Sequence, residues 1–97
     1  MTKLNGKQRR KLRALGHALE PIVQIGKDGL TDGVAGALDG ALAVHELVKV
    51  KLGSSAPDDR HGAAATLARR TKSELVQVLG KVILLYRRHP HEPKITL

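Results

Sequence analysis

Residues 22–52, IVQIGKDGLTDGVAGALDGALAVHELVKVKL, decide the fold. Ile22-Val23-Gln24-Ile25 follows Pro21, whose ring ends a preceding helix and pushes Glu20 toward extended geometry, so the run reads as a short strand. Gly26-Lys27-Asp28-Gly29 then closes it with a tight loop. Thr31 can cap a helix with its hydroxyl, and Val34, Leu38, Ala41, Leu42 and His45 recur at helical spacing. Leu47 to Leu52 alternates, with Val48, Val50 and Leu52 on one strand face and Lys49 and Lys51 on the other. A strand-helix-strand unit of this kind predicts a parallel pair joined by a right-handed crossover. Gly33, Gly36 and Gly40 weaken its helix by about 1 kcal/mol each relative to Ala, a cost that close approach to a sheet would offset.

Outward from this unit, Asn5 to about Leu19 reads as a helix, basic outside, with Leu12, Leu15 and Leu19 forming its inner stripe. Downstream, Gly53 to Asp59 has loop composition, and either Asp58 or Asp59 caps a third helix that runs to about Thr71 with Ala64, Leu67 and Ala68 inward. Leu75–Leu79 and Val82–Tyr86 flank Gly80-Lys81, a hairpin signal. The tail from His89 to Leu97 carries two prolines and is expected to be loose and without an element, although Ile95 and Leu97 are able to dock. The expected fold class is α/β: order α-β-α-β-α-β-β, a four-stranded mixed sheet packed with helices, one domain over residues 1–97 with its core at about 4–88.

Composition narrows the function. The chain has 97 residues, a 41 % hydrophobic content, no Phe or Trp, and Tyr86 as its one aromatic, so aliphatic side chains must fill the core. One tyrosine cannot supply the stacking platform of a sheet that reads single-stranded RNA through aromatics, which argues against an RRM-type reader. Without cysteine there is no disulfide framework and no thiolate site, which fits a cytoplasmic location. Neither a secretory segment nor a membrane span is expected. Seventeen Lys and Arg against nine Asp and Glu give +8, a field that attracts polyanions and makes nucleic acid the leading partner class.

The candidate site starts at Gly26, Lys27, Asp28 and Gly29, a GxxG pattern in which two glycines let the backbone come close to a phosphodiester strand. The loop leaves a strand and precedes a helix whose N-terminal amides attract anions, and Lys27 adds charge. Asp28 turns away, caps the turn, or accepts a bond from a base amino group or a ribose hydroxyl; the sequence leaves these open. Lys7, Arg9, Arg10, Lys11 and Arg13, with Lys3 before them, precede any acidic residue and form a second candidate, to which Lys49 and Lys51 add a third. Ordinary turn geometry and a solvated basic face are the bland alternatives for these features. The catalytic patterns HExxH, P-loop and GxSxG are missing, so no enzyme is expected; His89 and His91 on a tail make a poor metal site, and no cofactor is expected.

ALEPIVQIGKDGLTDGV (residues 18–34), HELVKVKL (45–52) and ELVQVLGKVILLYRR (74–88) together resemble the CRM domain, named for chloroplast RNA splicing and ribosome maturation, over about Leu4 to Arg88. The resemblance is to the stand-alone bacterial YhbY-like kind. It implies a fold similar to the C-terminal domain of translation initiation factor three with an added N-terminal helix. It also implies a GxxG loop at Gly26, Lys27, Asp28 and Gly29 that, with nearby basic residues, binds structured rRNA in precursors of the large ribosomal subunit. Asp28 departs from family loops, which often hold neutral or basic residues between the glycines. His45 and Glu46 match the family block, and a structural pairing that fixes the helix-strand junction is expected of them. The expected protein is thus a monomeric, non-catalytic RNA binder without a small-molecule substrate. The rivals are a module that binds a protein through the leucine face of the first helix, a binder of a smaller RNA, and a peripheral membrane protein.

Overall fold

A computed structural model describes residues 4–97. Its elements are α1 (Gly6–His17), β1 (Val23–Ile25), α2 (Asp32–His45), β2 (Leu47–Leu52), α3 (Arg60–Thr71), β3 (Glu74–Leu79) and β4 (Val82–Tyr86). The strands form one mixed sheet in the order β1-β2-β4-β3, with β1 parallel to β2 and the other pairs antiparallel. The expected α/β class and order of elements are both present.

Local chemistry sets the helix starts. Asn5 forms a capping box with Gln8 on α1, Thr31 Oγ1 accepts from the Val34 N–H on α2, and Asp59 rather than Asp58 caps α3 by accepting from the Gly62 N–H. Period-two alternation then sends Val48, Val50 and Leu52 of β2 to one face. There they meet Val23 and Ile25, Leu38 and Leu42 of α2, Ala63, Ala64 and Leu67 of α3, and Ile83 and Leu85 of β4. This aliphatic cluster is the main core.

On the other face of the sheet, α1 packs Leu12 among Leu47, Val76, Leu84 and Tyr86. Here the leucine stripe expected of α1 is corrected: Leu12 is buried but Leu15 and Leu19 are exposed, and Gly16 carries the second contact. A Cβ at Gly16 would fall 2.6 Å from Leu84 Cδ2, so the missing side chain is what lets α1 lie on the sheet. Two neighbouring bounds also move: Leu19 lies beyond the end of α1, and Ile22 precedes β1 and is exposed.

The glycines of α2 are a second correction. A Cβ at Gly36 or Gly40 would touch nothing, and all three of Gly33, Gly36 and Gly40 are exposed, so they are not points of close approach to the sheet. The buried stripe is Ala35, Leu38 and Leu42, with Val34 and Ala41 at its margin and His45 in solvent.

The tail has no regular element but is not loose. Glu46, fully buried at the α2–β2 junction, takes the positive φ of 64° that is uncommon for a residue with a side chain. Its carboxylate accepts from the backbone N–H groups of His89 (2.8 Å), Lys94 (2.7 Å) and Ile95 (3.0 Å). Ile95 then packs against the Leu12 cluster and Lys11 bonds the carbonyl of Thr96, so tail and α1 cover the same side of the sheet. Leu97 remains exposed.

Candidate nucleic-acid interface

The GxxG loop sits at the carboxyl end of β1, where α2 begins. The Gly29 N–H donates to the Gly26 carbonyl at 3.0 Å, and the Thr31 N–H donates to the Gly29 carbonyl at 3.0 Å. Gly29 has a φ of +74°, and a Cβ there would meet Asp58 Oδ2 at 2.7 Å and Pro57 Cγ at 3.2 Å. Only glycine satisfies both restrictions. The β2–α3 loop also supports the site from the side, because the Gly53 N–H donates to the Ile25 carbonyl at 2.8 Å. Between the buried Gly29 and the exposed Gly26, Lys27 and Asp28 project into solvent at the loop tip.

An anion arriving there meets more than Lys27. The first-turn N–H groups of α2 that Thr31 does not take are free of intrahelical partners, as at any helix start. Asp32 would oppose an anion at that end, but Arg70 bonds its carboxylate at 2.7 Å. Lys51 belongs to the same end through register: Gln24 pairs with Lys51 and Ile25 with Leu52, so both strands finish side by side. Lys81 lies in the β3–β4 turn and its carbonyl accepts from the Leu52 N–H at 2.7 Å, while Arg60 reaches the Gly80 carbonyl at 3.1 Å. The structure therefore places Lys51 at the end of the sheet from which the loop of Lys27 leaves, and adds Lys81 and Arg60 at that end, which the sequence reading had not singled out.

The basic residues of α1 form a separate patch. The start of the helix lies near the beginning of β3, where Arg9 bonds the Leu75 carbonyl, and its later turns reach Leu84. Arg9 and Lys11 each spend donors on backbone carbonyls, whereas Lys7 and Arg10 are exposed and Arg13 is half-buried. Lys3 lies outside the described residues. Lys49, half-buried, donates to the Leu19 carbonyl at 3.0 Å and stands between the two patches on the face that carries Lys51. That face is not uniformly wet as the alternation implied, because Leu47 on it is covered by the α1 cluster.

Electrostatics elsewhere is internal. Arg87 is committed to Asp39 at 2.6 Å and to the Thr71 carbonyl at 2.7 Å. Burial pushes the Glu46 carboxyl up, but the three backbone N–H bonds outweigh it and leave the group below the ordinary glutamate range. Burial, and then the charge of Glu46, push the Tyr86 hydroxyl up. Both groups serve packing, and Tyr86, 2 % exposed, offers no face for a base. Among the described residues no helix is long and apolar enough to cross a membrane.

The sequence pattern of the CRS1 / YhbY (CRM) domain family matches residues 4–87. A Pseudomonas aeruginosa protein named "Probable RNA-binding protein PA4753" is 40 % identical over 91 residues, 94 % of this chain and 88 % of that protein. A Haemophilus influenzae protein named "RNA-binding protein" is 39 % identical over 97 residues, 100 % of this chain and 97 % of its own length. The solution structure of SAV1595 from Staphylococcus aureus, a hypothetical protein to which RNA binding has been ascribed, superposes with a TM-score of 0.82 at 42 % identity, covering 97 % of this chain and 98 % of that one. Three helices on a four-stranded mixed sheet, a GxxG turn between β1 and α2, and a match along almost the whole sequence converge: the chain belongs to the CRS1/YhbY family of CRM-domain proteins.

Proposed function

We propose that this protein is a non-catalytic RNA-binding factor that joins precursors of the large ribosomal subunit and assists their assembly by binding rRNA. The observation that carries the reading is that one end of the sheet holds an exposed Lys27, the open first turn of α2 and, at the end of β2, Lys51, around a loop whose glycines admit a backbone. Gly26, Lys27, Asp28 and Gly29 with Lys51 form the primary contact. Lys7, Arg9, Arg10, Lys11 and Arg13 of α1, with Lys49 between, widen the electrostatic footprint. The relatives' names support RNA as the partner. In this reading the protein acts as a cytoplasmic monomer and needs no cofactor.

Sucrose-gradient fractionation of a lysate at low and high salt tests it. The expected result is enrichment with large-subunit precursors that is lost at high salt. Sedimentation only at the top of both gradients would redirect the reading to a smaller RNA or a protein.

A protein partner is favoured by one observation. Leu15, Leu19 and Ile22, together with Leu47 and Ile95, line an apolar groove of about 370 Å³. Association that survives high salt and is abolished by Leu19→Lys would assign the protein to that reading.

A further inference from the structure

We infer that the uncovered end of the sheet's α1 side is a subsite for an unpaired RNA segment next to the GxxG loop. The inference rests on the RNA-binding reading and specifies which form of RNA the same site takes.

The register places Gln24, Lys51, Val82 and Leu79 in one row across the four strands. All four face away from the main core, since their neighbours Ile25, Val50, Ile83 and Val78 pack into it. Helix α1 ends its coverage one row earlier, at Leu84. In the row, Gln24 and Lys51 are exposed, and Leu79, 66 % exposed, is the most exposed large hydrophobic side chain among the described residues.

The chemistry of the row fits a nucleotide. Lys51 supplies a cation for phosphate. Gln24 offers an amide donor and acceptor suited to a base edge, and that amide has no hydrogen-bond partner among the described residues. Its Nε2 lies 3.4 Å from where a Cβ of Gly53 would stand, which puts it beside the loops that hold Gly26 to Gly29. Gln24 and Lys51 also line a depression of about 310 Å³ with Pro21, Ile22 and Val23. Beyond that depression, the register carries the row on to Val82 and Leu79, an apolar floor for a ribose or a base. This row and the next, Lys49, Leu84 and Gln77, contain no carboxylate, so the charge suits RNA and runs on from Lys27. With no aromatic in the row, a base here packs on aliphatic carbon, which is weaker than stacking but does not require it.

The test uses two fluorescein-labelled RNAs: a blunt hairpin, and the same hairpin with a short single-stranded adenosine extension. Anisotropy titrations compare wild type with Gln24→Ala and Leu79→Ser, whose exposed positions leave the fold intact, as thermal melting checks. Wild type is expected to bind the extended RNA roughly two- to fivefold tighter, at or below the low end for a base stacked on an aromatic ring, and both variants to lose that gain while binding the blunt hairpin as before. Equal wild-type affinity for the two RNAs, a gain that survives in either variant, or an equal loss on the blunt hairpin would each overturn the subsite. Binding of neither RNA would instead overturn the RNA-binding reading itself.

Discussion

The carboxylate of Glu46 holds the backbone N–H of Lys94, 48 residues further along the chain, at 2.7 Å. The same group bonds His89 and Ile95, so one buried side chain joins the α2–β2 junction to the tail and the tail to the cover of the second sheet face. An ionised acceptor serves three donors better than a neutral amide, whose NH2 end would face an N–H. Glu46→Gln is therefore expected to lower unfolding free energy by about 1–3 kcal/mol. Urea denaturation checks this, and amide exchange at Lys94 and Ile95 should accelerate more than exchange in β2.

Acid should act through the same residue. The folded Glu46 carboxyl lies below its ordinary value of 4.5, so its contribution is fully present above that value and is lost as pH falls through the lowered folded value. The stability difference between wild type and Glu46→Gln is expected to be constant near neutrality and to shrink in acid. Unfolding both proteins in urea at neutral and at strongly acidic pH measures it, and a difference that stays constant would remove Glu46 from the account.

Much of the fold could be read locally because strands announce themselves by alternation: Val48, Val50 and Leu52 had one possible inner face. The errors arose where packing is set by a missing side chain or by a distant partner. Leu15 and Leu19 looked like core by spacing, yet Gly16 makes the contact, and a glycine four residues after Leu12 was the available signal. The tail's anchor was invisible because its bonds to Glu46 span 43 to 49 residues. For the candidate site, the GxxG loop was legible from its glycines and position, whereas the pairing of Lys51 with Gln24, and the nearness of Lys81, depend on strand register, which no short window contains.

The α2 glycines give a stability prediction of opposite sign. With open space at Gly36 and Gly40 and ordinary helical backbone, alanine adds no clash and reduces the freedom of the unfolded chain. Gly36→Ala and Gly40→Ala are each expected to stabilise by about 0.5–1 kcal/mol. Thermal melting that shows a loss at either position would mean that these glycines make an approach the structure does not show.

Within the GxxG loop the two glycines should behave differently. Gly29→Ala places a Cβ against Asp58 and Pro57 at positive φ and is expected to cost at least about 1 kcal/mol, while Gly26→Ala meets nothing within 4 Å and should leave stability near wild type. If Gly26→Ala nevertheless weakens RNA binding, the position matters for backbone approach by the ligand and not for folding. Parallel melting curves and RNA titrations separate the two roles.

Lys27 tests the site most directly, since it is exposed at the loop tip and takes part in no ion pair among the described residues. Lys27→Ala should therefore leave the melting temperature unchanged. Each phosphate contact contributes a counterion-release slope of about 0.7 to 0.9 in log affinity against log salt, so removing one contact should weaken binding and flatten the salt dependence by about that much. His91→Ala, on the tail and far from the loop in sequence, should change neither. Titrations of both variants over a range of salt against one RNA decide the matter: a Lys27→Ala slope equal to wild type would mean that the loop does not hold the phosphate, and would shift the contact to the α1 patch of Lys7, Arg10 and Arg13.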